Sequence, residues 1–73
     1  MVDNRELIQF FSEFWGIDPT KINDNLALDS AHLKGQTSIK IYQFFAEVES
    51  KFGVKINNIN KVLTFGDLIK NIT

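Results

Sequence analysis

Residues 35–53 read GQTSIKIYQFFAEVESKFG, and the fold is decided by how this stretch is read. Thr37 and Ser38 offer side-chain oxygens to the unpaired N–H groups of a helix start, where these residue types are favoured. Behind them Ile41, Phe45, Val48 and Phe52 recur at i, i+4, i+7 and i+11, with Tyr42 and Phe44 on the flanks of that stripe. That spacing belongs to an amphipathic helix with one buried face. Gly53 supplies the residue type that most readily takes the left-handed conformation closing a helix. The stretch therefore predicts a helix capped by Thr37 or Ser38 and running to Phe52.

Upstream, residues 23–35 (NDNLALDSAHLKG) are turn-rich and non-periodic, with Leu26, Leu28 and Leu33 as anchors to a core. Within this long loop Asp29 or Ser30 can cap a single turn through Ala31, His32 and Leu33, ended by Gly35. A structureless connection this long in a small domain is more often functional than idle. Before it, Asp18-Pro19 has the pattern of a cap followed by proline at the first helical position, predicting one short turn to Ile22. Asp3 and Glu6 have capping-box spacing ahead of Leu7, Phe11 and Phe14, with Ile8 and Trp15 widening the stripe and Gly16 closing it.

Downstream, Val54 and Ile56 alternate with Lys55 as in an extended segment, and Asn57-Asn58 begins a polar link holding Ile59 and Val62 on one short helical turn. Thr64 and Asp67 again have capping-box spacing, and Phe65, Leu68, Ile69 and Ile72 give a last helix one face to bury. Without a repeat, a linker or a strand pair, residues 1–73 read as a single all-α domain, a small antiparallel bundle of three or four helices.

Composition narrows the function. The 73 residues contain no cysteine and one histidine, which removes a disulfide framework, a thiolate nucleophile and the usual zinc arrangements, so no metal is expected. A net charge of -1 with acids and bases interspersed leaves no basic stripe for nucleic acid. No apolar run approaches the roughly 20 residues of a membrane span, and the N-terminus lacks a signal-peptide layout. A cytoplasmic monomer is expected.

Candidates for catalysis are few. His32 stands in a polar loop without a motif tying it to a nucleophile. Glu47 and Glu49, two apart on a helix, point in different directions and make no dyad. What remains is Ser38, a serine at a helix start behind a long loop. Local capping accounts for it, yet the positive end of the helix dipole there also favours a phosphate.

With these fragments in place, the chain resembles the acyl carrier proteins, small four-helix carriers of fatty-acid and polyketide synthesis, over nearly its whole length. Trp15-Gly16-Ile17 is similar to the family's close of helix one, and Ile22-Asn23 to the loop entry that follows. Ser38-Ile39, with the helix ending Glu49-Ser50-Lys51-Phe52-Gly53-Val54, resembles the modified serine, its following leucine and the Glu-rich helix closing in Phe-Gly-Ile. Thr64-Phe65-Gly66-Asp67-Leu68-Ile69 is similar to the start of the last helix. The interval from Ser38 to Gly53 is the family's own. Thr37 stands where the family carries aspartate. A literal Asp-Ser occurs at Asp29-Ser30, but a helix behind Ser30 would break at Gly35, and the interval to Gly53 is too long. Lys40 and Gln43 replace acids common on the family's docking helix, leaving Glu47 and Glu49.

The resemblance implies an antiparallel four-helix bundle with a long loop between helices one and two and a short third helix. It implies a 4'-phosphopantetheine arm, taken from coenzyme A by a phosphopantetheinyl transferase and attached to Ser38, that carries acyl groups as thioesters for fatty-acid, polyketide or related lipid biosynthesis. Acyl-loading and acyl-processing enzymes would dock on the helix beginning at Ser38, and acyl chains would insert among Ile41, Phe45, Val48, Ile59, Val62, Phe65 and Leu68. Such a carrier is no enzyme. The competing expectation is an unmodified helical protein-interaction module.

Overall fold

A computed structural model describes residues 3–73. In chain order it holds α1 (Asn4–Trp15), a 3-10 turn (Pro19–Lys21), α2 (Ser38–Phe52), a second 3-10 turn (Ile59–Lys61) and α3 (Phe65–Lys70). The all-α expectation holds, with three α-helices among the described residues. The expected four-helix arrangement is not reproduced, because the short third helix is only the turn at Ile59–Lys61. Its local chemistry explains this. Asn58 leads into the turn at φ 52° without a side-chain cap, and asparagine favours turns over helix interiors by hydrogen-bonding its own backbone.

Asp3 caps α1 by accepting from the Arg5 N–H at 2.9 Å. Gly16 ends that helix at φ 66° and Gly53 ends α2 at φ 63°, both in the left-handed region where glycine alone is unstrained. In each case the glycine N–H and the one after it turn back onto a single helix carbonyl, that of Ser12 or Glu49.

Phe11 of α1, Phe44 of α2 and Phe65 of α3 join the helices. Phe11 meets the other two edge-on, at centroid separations of 5.3 and 5.2 Å, the geometry that aromatic quadrupoles prefer. Leu7, Trp15, Phe45, Val48 and Leu68 complete the buried centre, with the loop leucines Leu26, Leu28 and Leu33 packed onto it as anticipated. Phe44, expected on a flank, is fully buried, whereas Ile41 and Phe52 are half-buried. The α2 face is thus centred on Phe44, Phe45 and Val48, and the Phe44 ring meets Phe10, Phe11, Phe14 and Trp15 of α1.

The loop is tied to the head of α3. Gly66 N–H donates to Asp24 O at 3.0 Å, Phe65 N–H to Leu26 O at 2.9 Å and Leu28 N–H to Leu63 O at 2.9 Å. A Cβ on Gly66 would lie 2.9 Å from Asp24 O, so this close approach needs glycine. At the other end, Lys55 and Thr73 exchange N–H···O bonds of 3.0 and 2.8 Å beside an antiparallel bridge between Ile56 and Ile72. Ile72, expected on the last helix, is therefore outside it: α3 stops at Lys70, and Ile72 pairs with the extended segment after α2.

Candidate functional site

Ser38 is the first residue of α2 and is exposed. The cap is Thr37, whose hydroxyl accepts from the Lys40 N–H at 3.1 Å while its carbonyl accepts from Ile41 N–H at 2.9 Å. Ser38 is thereby released from capping, and among the described residues its Oγ has no hydrogen-bond partner. The Ser38 and Ile39 N–H groups, the first and second of the helix, likewise have none. These unpaired donors and the helix dipole make the position favourable for an anionic substituent, by about 0.3–1 kcal/mol at an exposed site.

The approach to Ser38 is set by the loop. Asp29 rather than Ser30 caps the anticipated turn: its carbonyl accepts from His32 and Leu33 N–H at 3.1 and 2.8 Å, and its Oδ1 accepts from His32 N–H at 3.0 Å. The same oxygen meets His32 Nδ1 at 2.7 Å, and this side-chain bond holds the Asp29 carboxyl below the usual carboxylate range. Gln36 then ties the exit down, its N–H donating to Leu33 O at 3.0 Å and its Nε2 to Leu28 O at 3.2 Å. Gly35 between them sits at φ 78°, a conformation that a residue with a Cβ resists.

Lys40 reaches the C-terminal end of α1, with Nζ 5.7 Å from the Phe14 ring centroid and 5.1 Å from that of Trp15, and the same ammonium lies beside Gly35, where a Cβ would come within 3.8 Å of it. A cation over such faces gains about 0.5–1 kcal/mol. The indole Nε1 of Trp15 is buried without a partner among the described residues. Sequence reading missed this cluster. The spacing does not place a lysine on rings one helix away, because that contact depends on α1 and α2 running antiparallel.

The other candidates fall into separate places. Ser30 is exposed on the Asp29 turn and heads no helix. His32 is exposed and hydrogen-bonded through its ring only to Asp29 among the described residues. Glu49 accepts from Ile56 N–H at 2.8 Å and Glu47 is exposed, so they form no dyad. Among the described residues there is no group of three or more metal-ligating side chains and no helix long and apolar enough to cross a membrane.

An open groove of about 380 Å³ lies between α1 and the end of α2, lined by Glu6, Gln9, Phe10, Glu13, Lys51 and Phe52, and another of about 370 Å³ covers residues 56–61. Neither includes Ser38. Of the residues expected to receive an acyl chain, Phe45, Val48, Val62, Phe65 and Leu68 are packed in the common core, with Ile41 and Ile59 half-buried at its margin.

No family model matches the chain, and no curated protein and no solved structure proves similar to it.

Proposed function

We propose that the protein is an acyl carrier whose Ser38 hydroxyl bears 4'-phosphopantetheine through a phosphodiester. The observation that carries this reading is the division of labour between Thr37 and Ser38. The threonine satisfies the helix start, and the exposed serine beside it keeps a hydroxyl free of other duties. The residues present suit the group: two unpaired N–H donors at the positive end of a 15-residue helix face a phosphodiester's negative charge. When bound, the arm supplies the terminal thiol on which acyl groups ride as thioesters. The chain then has no turnover of its own, and its fold is a variant of the acyl-carrier bundle with a 3-10 turn standing for the third helix.

The test is incubation with coenzyme A, magnesium and a broad-specificity phosphopantetheinyl transferase, followed by intact-mass measurement. The expected result is a gain of one phosphopantetheine group that Ser38→Ala abolishes and Ser30→Ala retains. Loss of the gain in Ser30→Ala alone would move the site to the loop turn.

A second reading, an unmodified helical interaction module, draws on the exposure of three large apolar side chains: Ile39 at 73%, Leu63 at 67% and Tyr42 at 52%. It predicts no mass gain with any transferase.

A further inference from the structure

Lys40 lies in the first turn of α2, two residues past Ser38, and is half-buried. The ion pairs among the described residues join Arg5 to Asp3 and His32 to Asp29, and neither involves Lys40. Its bond to the Thr37 hydroxyl uses the backbone N–H. The three N–H donors of the ammonium therefore have no acceptor among the described residues, and a partly desolvated cation stands at the helix head without a counter-charge.

Its position is fixed from below. Helical side chains lean toward the N-terminus of their helix, and Nζ lies 5.1 Å from the Trp15 centroid and 5.7 Å from that of Phe14, beside Gly35 in the segment that leads into α2. Trp15 is 5% exposed, and its Nε1 has no partner among the described residues. The seat thus offers the cation ring faces but no anion. A lysine ordered in this way has already given up much of the rotamer freedom that makes a surface lysine a weak partner, and such pre-ordering favours binding. The Ser38 and Ile39 N–H groups of the same turn are also unpaired. Open donors, the positive helix end and an unpaired ammonium all belong to one turn, which holds the serine.

We infer that Lys40 is the counter-ion of the phosphodiester formed on Ser38, kept ready by the rings of Phe14 and Trp15. This rests on the carrier reading. Lys40 replaces an acid common in the family that the chain resembles, so the pair is a property of this chain rather than of that resemblance. It holds the first atoms of the arm on the side of Gly35 and α1.

The experiment compares the full chain before and after loading to completion by a phosphopantetheinyl transferase. Lysines are methylated reductively in a short pulse, and the rates at Lys40 and at Lys34, exposed in the loop, are read by peptide mass. At an ionic strength of about 0.01 M loading should slow Lys40 by about two- to fivefold, the factor of an exposed charge pair, and leave Lys34 unchanged. The slowing should be lost at about 1 M, where the screening length falls from about 30 Å to about 3 Å. Trp15 is the only tryptophan, and its emission should shift on loading in the unmutated chain and in Lys40→Arg but not in Lys40→Gln, each variant checked by thermal unfolding. Equal rates in the two forms overturn the pair. So does a slowing that persists at about 1 M, which is steric cover by the arm, or an emission shift of full size in Lys40→Gln. These results leave the carrier reading intact, whereas no mass gain in the unmutated chain overturns both.

Discussion

Thr37 and Thr64 cap their helices with the same backbone geometry, φ -134° and ψ 166° at the head of α2, φ -133° and ψ 167° at the head of α3. Each hydroxyl accepts from the N–H three residues on at 3.1 Å. From there the two heads diverge. At α3 the next residue is Phe65, 2% exposed, followed by buried Gly66 against Asp24, and Asp67 closes a capping box by accepting from the Leu63 and Thr64 N–H groups at 3.2 Å. At α2 the corresponding residues are exposed Ser38, exposed Ile39 and Lys40, whose side chain leaves for the α1 rings. One helix start is used to hold the loop; the other is held out by the same loop. Helix starts are a ready source of anion sites only where packing leaves the first N–H groups open.

Exchanging the first helical residue should break the symmetry most sharply. Phe65→Ala removes the ring shared with Phe11, and such truncations cost about 3–5 kcal/mol. A domain of this size has a total of about 5–15 kcal/mol at most. The expected outcome is a sharply lower denaturant midpoint by circular dichroism. Ser38→Ala should shift the same midpoint by less than about 0.5 kcal/mol, since the side chain makes no contact that the fold requires.

The third helical residue gives a smaller contrast. Asp67→Ala leaves two N–H groups without their acceptor and should cost about 1–2 kcal/mol. Lys40→Ala loses the contact over Phe14 and Trp15, about 0.5–1 kcal/mol, while alanine improves helix propensity. Urea unfolding of the pair should rank Asp67→Ala as the more damaging. Trp15 fluorescence should change in Lys40→Ala alone.

Acid should produce the smallest effect, acting on two exposed carboxylates of the segment between α1 and α2. Asp29 is held low first by its side-chain bond to His32, and Asp18 by the N–H and hydroxyl of Thr20. A carboxylate whose folded pKa is depressed stabilises the fold above its unfolded value of about 3.9, and that contribution is lost as pH falls through the folded value. Tm should therefore decline below about pH 4, and Asp29→Asn should flatten part of that decline. Both groups are solvent-exposed, so screening keeps the slope shallow.

Much of this was legible beforehand. The glycine stops at Gly16 and Gly53, the Thr64–Asp67 box, the loop leucines and the exposed Ser38 follow from propensity, spacing and capping chemistry, which act within a few residues. Phe44 was misplaced because the periodicity of α2 defines a broad apolar arc, and only the direction from which the α1 rings approach selects its centre. Ile72 was assigned to the last helix because apolar spacing cannot distinguish a helical residue from one held beside an extended segment by its neighbours, Asn71 accepting from the Asn57 N–H and Thr73 exchanging bonds with Lys55.

The sequence by itself determined where α1, α2 and α3 begin, the glycines that end α1 and α2, and the serine at the head of α2, because those depend on interactions between near neighbours. Tertiary structure alone decided which helix start stayed open and which charges of α2 were drawn away from its outer face. Those outcomes require Asp24 to meet Gly66, Lys40 to reach Trp15 and Glu49 to reach Ile56, contacts that exist only once the bundle is closed.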